Sequence, residues 1–303
     1  MKSIWRWGNI GIKLLLVPVL LVVLLREMQA VSPDLLLSGS FLGAGALSLL
    51  VNQLALLAFA QRFRTSLAAV GFLLTPIPAL RIHLQSVFYF FVVPMTVGME
   101  AARLMKLASI DKAFSKVGIT AGLLLDRMIG VVPAALFFLA SLPWIDFETV
   151  PGVNGMGIAL AVVAVGTVLA LVMAWFWRER LRALASQVRW TAIPWVAVWS
   201  LPTHLLFILA VGLVAMAVSP DTGMFEVLFV VSAANLLLVV PVSFAGAGFA
   251  EAGSLGLWLS LGTPVEAAVV LSFIPYALRV IAAIQGAVWE VAEGGIALLR
   301  TPE

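Results

Sequence analysis

Residues 65–94 read TSLAAVGFLLTPIPALRIHLQSVFYFFVVP. The stretch is apolar enough to enter a membrane, yet it is flanked by Arg62 and Arg64 on one side and by Arg103, Lys106, Lys112 and Lys116 on the other. Loops rich in Lys and Arg stay on the cytoplasmic face. For both clusters to share that face, the chain between them must cross the membrane twice or not at all. Thirty residues are too few for two full spans of about 20 residues each and a turn. Thr75-Pro76-Ile77-Pro78 also disfavours helix in the middle. The stretch is therefore expected to form a re-entrant hairpin broken near Ile77, with two interfacial helices on the cytoplasmic surface as the alternative. Lipid cannot satisfy free backbone groups, so a broken segment at membrane depth must be buried in protein or line a wet cavity.

The rest of the chain agrees with a membrane setting. Its 303 residues are 63% hydrophobic and 11% charged, against roughly a quarter charged in an ordinary globular chain. That balance excludes disordered, collagen-like, disulfide-rich secreted and cytosolic nucleotide-binding proteins, and no nucleic-acid partner is expected. Apolar runs predict spans at about 9–25, 39–60, 117–142, 156–177, 191–217, 224–242 and 264–288. The fold class is thus all-α, a polytopic integral membrane helical bundle of about 7–8 spans plus re-entrant or broken segments, forming one transmembrane domain over 1–303. The first run follows Lys2, Arg6 and Lys13 and lacks a small-x-small cleavage site before Val31, so it reads as a retained signal anchor with a cytoplasmic N-terminus. Arg178, Arg180, Arg182 and Arg189 form another basic cluster on that same side. The remaining loops carry Arg26, Glu27 and Asp34, then Asp146 and Glu148, then Asp221 and Glu226, with a single basic residue among them, and are expected to face outward. Residues 244–262 carry only Glu251 and fit either a second re-entrant segment or a short span.

Val92-Val93-Pro94-Met95-Thr96-Val97 recurs as Val239-Val240-Pro241-Val242-Ser243-Phe244. Each copy is followed by glycine and glutamate: Gly98 and Glu100, then Gly246, Gly248 and Glu251. The shared order of proline, hydroxyl, glycine and glutamate points to an internal duplication with halves at about 39–142 and 191–290. Corresponding interrupted segments in two halves are the sequence pointer to a transporter binding site. Asp126, Arg127 and Arg279 lie deep inside predicted spans, where each costs on the order of 3 kcal/mol on insertion scales. Such residues face protein or a water-filled cavity. Arg81, Arg127 and Arg279 suit a phosphate, because a guanidinium is a planar fork of donors and is weakly hydrated. Glu100, Asp126 and Glu251 could balance them or carry protons, and a purely structural pairing, Asp126 with Arg279 for instance, is the competing reading. His83 and His204 have no spaced partner and read as packed polar residues. No nucleophile–base pair, metal motif or phosphate loop stands in the chain, so neither enzyme activity nor a cofactor is expected. Zero cysteines exclude disulfides and thiolate chemistry.

With these motifs, residues 10–290 resemble the lysylphosphatidylglycerol synthase transmembrane family, a flippase-like membrane region. Pro94, Gly98, Glu100 and Arg103 match its Pro-x-x-x-Gly-x-Glu-x-x-Arg pattern, and Asp126-Arg127 its intramembrane pair. Pro241, Ser243, Gly246, Gly248 and Glu251 match its second motif, and Arg279 its late arginine. Ala250 departs from the family, which often carries arginine there, and this places the substrate's identity in question. The resemblance implies translocation of an anionic phospholipid or a polyprenyl-phosphate lipid across a bacterial or archaeal cytoplasmic membrane, often in partnership with a lipid synthase or glycosyltransferase. The rivals are an accessory subunit of such an enzyme that transports nothing, and a transporter of a small soluble anion.

Overall fold

The computed structural model describes residues 31–92, 96–146, 175, 178–238, 243–244 and 247–293. Over these residues the chain is an all-α bundle of ten α-helices, with two single-turn 3-10 segments and one two-residue strand pairing. A short helix α1 (Pro33–Leu37), capped by the Ser32 hydroxyl, leads into α2 (Gly39–Ala68), capped by Ser38. Next come α3 (Pro76–Val92), α4 (Thr96–Ile110) and α5 (Lys116–Ser141), the last prolonged by a 3-10 turn to Trp144. The exposed, arginine-rich α6 (Arg178–Ala185) precedes α7 (Ile193–Val218) and α8 (Met224–Leu237). A tight antiparallel pairing of β1 (Ser243–Phe244) with β2 (Ala247–Gly248) joins α8 to α9 (Phe249–Ser260), and α10 (Val265–Ala292) follows.

Residues 39–68, 116–144, 190–218 and 265–292 are long and apolar enough to cross a membrane. At about 1.5 Å per residue each exceeds a hydrocarbon core of about 30 Å. They correspond to the spans expected at 39–60, 117–142, 191–217 and 264–288. Their outer surfaces carry large apolar side chains, such as Leu50, Leu54 and Leu57 on α2 and Met128, Val132 and Leu136 on α5. Water would not leave them there, whereas lipid does. The spans expected at 9–25 and 156–177 lie outside the described residues. The one expected at 224–242 is a 14-residue helix, about 21 Å long, and too short to cross.

Contacts sort the helix ends into two groups. At one end the Arg189 amide donates to the Ala69 carbonyl at 2.8 Å, and the Phe72 ring meets Phe114 edge-on. Arg81 pairs with Glu293 there, and Lys106 with Glu290. The C-termini of α2, α4 and α10 thus gather with the starts of α3, α5 and α7. Basic residues from the loops expected on the cytoplasmic side therefore share one end, and α10 finishes among them. At the other end Ser32 donates to Glu266, and Trp144 stacks on Phe225. Asp34, Asp146, Asp221 and Glu226 flank these contacts.

Two helical hairpins enter the bundle from opposite ends. Helices α3 and α4 leave the basic end, pack on each other and return to it, while α8 and α9 do the same from the acidic end. Their lengths of 17, 15, 14 and 12 residues correspond to about 18–26 Å, short of a full crossing. The first hairpin is displaced from the expected one. Pro76 opens α3, a position where its missing N–H is harmless, so Thr75–Pro78 starts a helix instead of breaking one. Ile77 is 71% exposed at the basic end, and α3 runs without a break from Pro76 to Val92. Of the stretch 244–262, the described residues form the strand pairing and then α9, the returning arm of the second hairpin. Among the described residues the most extensive interfaces are α2 on α7, α3 on α10 and α5 on α8.

Candidate functional site

Two of the charges expected inside the membrane, Asp126 and Arg127, lie where α2, α4 and α5 converge. Asp126 on α5 is 2% exposed and accepts from Arg62 Nε at 2.8 Å. Arg103 Nη1 on α4 approaches its other oxygen at 3.5 Å, an ion-pair distance more than a strong hydrogen bond. Arg103 also donates to Ser86 Oγ at 3.0 Å and to His83 Nδ1 at 2.8 Å, both on α3. A guanidinium can only donate, so this ring nitrogen accepts. The Arg103 guanidinium lies over the Phe63 ring, that of Arg62 over Phe59, and Phe59 stacks on His83.

Small residues and a helix-interior proline permit this approach. Gly130 faces the Arg62 guanidinium so closely that a Cβ there would lie 2.9 Å from Nη1. Pro133 cannot donate back along α5 to the Ile129 carbonyl. Ser200 Oγ of α7 supplies that bond instead, at 3.0 Å, while lying 3.5 Å from Arg62 Nη1. A break in one helix's ladder is thereby repaired by its neighbour.

One turn back along α4 from Arg103, Glu100 Oε1 accepts from Arg127 Nε at 2.8 Å, and Arg103 Nη1 reaches the same oxygen at 3.4 Å. Arg62, Asp126, Arg103, Glu100 and Arg127 therefore form one continuous chain of ion pairs, three guanidiniums against two carboxyl groups. Its buried members, Arg62, Asp126 and Arg103, are held on several sides. Its outer pair is accessible, with side chains 36% exposed for Arg127 and 26% for Glu100. Arg127 Nη2 and Glu100 Oε2 have no hydrogen-bond partner among the described residues.

Glu251 on α9 and Arg279 on α10 pair with each other at the second hairpin. Their pocket is completed by Asn235, Ser254 and Ser272, with room for about one water molecule. The pairing of Asp126 with Arg279 considered above does not occur. Arg81 belongs to neither group, because it pairs with Glu293 at 2.7 Å at the basic end. Gly98 lies in the first turn of α4, and Ser243 and Gly248 are the outer partners of the strand pairing. Pro94, Pro241 and Gly246 lie outside the described residues.

Arg62 was expected in a cytoplasmic loop, beside Arg64. It is 7% exposed inside α2, which runs on to Ala68 past the expected end at residue 60. The signal was present: no glycine or proline interrupts the chain between Gly45 and Gly71. His83, Ser86 and Ser200 left no comparable trace, since each acquires its part through a partner on another helix.

The family model described as the lysylphosphatidylglycerol synthase TM region matches residues 10–284. No curated protein and no solved structure matches the chain. The match covers both hairpins, the chain of ion pairs and the Glu251–Arg279 pocket, and with four apolar helices long enough to span a bilayer it assigns this integral multi-pass membrane protein to the lysylphosphatidylglycerol synthase TM region family.

Proposed function

We propose that the protein is a flippase-like transporter of a cytoplasmic membrane, moving an anionic phospholipid or a polyprenyl-phosphate lipid and performing no covalent chemistry on it. The observation that carries this reading is the chain of ion pairs ending at Arg127. It holds one cation more than its carboxyl groups balance, and its outermost guanidinium keeps a donor unpaired beside a broken hairpin. An isolated charge loses tens of kcal/mol of hydration in a low-dielectric medium in the idealised limit. A lipid phosphate at Arg127 would regain part of that as charge-assisted hydrogen bonds while balancing the excess cation. Its acyl chains would stay in the bilayer, so only the headgroup needs a polar path. Arg279 and Glu251 would serve the headgroup in the second half, and Arg62, Asp126 and Arg103 would brace Arg127 without touching it.

Gathering of basic residues at one end supports a cytoplasmic location for that end. A separate lipid synthase or glycosyltransferase at that face would supply or use the lipid. The test is reconstitution in liposomes carrying headgroup-labelled phosphatidylglycerol, with label accessibility to an impermeant quencher as the readout. Faster transbilayer movement than in empty liposomes, lost in Arg127→Ala, is the expected result. If neither phospholipid nor polyprenyl-phosphate lipid moves faster, with or without a proton gradient, the transporter reading fails and an accessory-subunit role takes its place.

A further inference from the structure

Each half of the described chain contains a spanning helix, a broken hairpin and a second spanning helix: α2, α3/α4 and α5, then α7, α8/α9 and α10. The hairpins enter from opposite ends, so a rotation relating the halves would have its axis in the membrane plane. Such a rotation makes a demand on the packing. It exchanges α3 with α8 and α5 with α10, so an interface of α3 on α10 requires one of α8 on α5, and α2 on α7 must map onto itself. These are the three most extensive helix interfaces among the described residues. The side chains follow the same relation. Glu100 pairs with Arg127 across α4 and α5, and Glu251 with Arg279 across α9 and α10. Three residues beyond each arginine stands Gly130 or Ala282, and seven beyond stands Ala134 or Gly286.

The two halves are not in the same state. Arg127 and Glu100 are 36% and 26% exposed, whereas Arg279 and Glu251 are 18% and 3% exposed. The interfaces differ too. A Cβ on Gly286 would overlap the Leu84 carbonyl of α3, while α5 carries buried Ala134 at the equivalent place.

We propose that the halves, residues 39–144 and 190–292, are inverted-topology repeats whose Glu–Arg pairs are equivalent half-sites for the headgroup. In this structure Glu100–Arg127 is open and Glu251–Arg279 closed, and movement of a headgroup between leaflets exchanges the two states. A single asymmetric arrangement of near-equivalent halves has a mirror arrangement of similar energy, which is the physical basis of alternating access in repeat-built transporters. The exchange would loosen the α10 interface with α3 and tighten the α5 interface with α8.

The inference rests on the headgroup reading, but its test does not require lipid to move. With no native cysteine, Arg127→Cys and Ser254→Cys report the two half-sites separately in sealed proteoliposomes treated with an impermeant thiol reagent from either face. Arg127→Cys should react readily from one face, and Ser254→Cys slowly and from the opposite face. Adding Gly286→Ala together with Ala134→Gly wedges the first interface and relieves the second. Ser254→Cys should then react roughly tenfold or more faster, as a minor state becomes a major one, and Arg127→Cys correspondingly slower. Reaction of both cysteines from the same face, or rates that move in the same direction, overturns the exchange. If the added substitutions prevent folding, the opposite-face requirement in the single-cysteine proteins still decides it. Reciprocal labelling without lipid movement supports the exchange and removes only the headgroup reading, while lipid movement with same-face labelling removes only the exchange.

Discussion

Asp126→Asn tests whether the buried ion pairs are structural. In the native protein this carboxylate, 2% exposed, answers Arg62 at 2.8 Å and Arg103 at 3.5 Å. Its neutralisation leaves Glu100 as the one carboxylate of the chain against three guanidiniums, and Arg62 keeps a neutral amide acceptor, the long contact to Ser200 and the face of Phe59 but no counter-charge. Removing one member of a buried pair costs about 3 to 5 kcal/mol, because the partner stays behind as an uncompensated charge. At about 2 °C per kcal/mol for a large domain, the unfolding midpoint in detergent should fall by roughly 6 to 10 °C, followed by tryptophan fluorescence. Arg62→Met with Asp126→Leu removes both members, leaves Arg103 with Glu100, Ser86 and His83, and should recover most of the loss. Arg127→Ala removes one partly exposed ion pair among the described residues and should shift the midpoint by no more than a surface pair's worth, about 1 kcal/mol, while lipid movement is lost. A double variant as unstable as Asp126→Asn, or an Arg127→Ala protein as unstable as either, would refute the division into a brace and a ligand-facing arm.

Ser200→Ala should cost about 1 to 3 kcal/mol, since it strands the Ile129 carbonyl that Pro133 leaves open. Pro133→Ala in that background restores an intrahelical donor and should return part of the loss in the same thermal assay. Glu293 lies beyond the last span. Burial raises its pKa, but the Gln85 hydrogen bond and the Arg81 and Lys106 charges more than offset this and hold it below the usual carboxylate value of 4.5. Its stabilising contribution is therefore present above that value and lost as pH falls through the lower folded pKa. Amide exchange in the last turn of α10 should accelerate over that window relative to Glu293→Gln measured at the same pH, and identical behaviour of the two proteins would refute the linkage. The orientation predicts that Asp221→Cys is labelled by an impermeant reagent in intact cells and Lys112→Cys only after permeabilisation, and the reverse pattern would invert the topology.

Composition alone determined that this is a helical membrane protein, because a chain with 11% charged residues cannot cover a bundle of this size with water-compatible surface. The distribution of Lys and Arg also determined that the chain between Arg64 and Lys106 returns to the side it left, since one crossing would have put a basic cluster across the bilayer. Position of the break was not legible in the same way. A Pro-x-Pro can begin a helix as well as end one, and only packing of α3 against α10 decides which. The charged residues themselves were readable as costly, but their partners were not. Asp126 could in principle have met any of several arginines, and a helix period says which face a residue occupies without saying which helix lies opposite. Arg62 shows the limit most sharply. Hydropathy ended its span at residue 60 because a charge lowers the apolar average, whereas the fold carries α2 on to Ala68 and surrounds that charge with Asp126, Phe59 and Ser200. An ion in the membrane is tolerable only if its partners arrive from other helices, and that arrival is a property of tertiary structure.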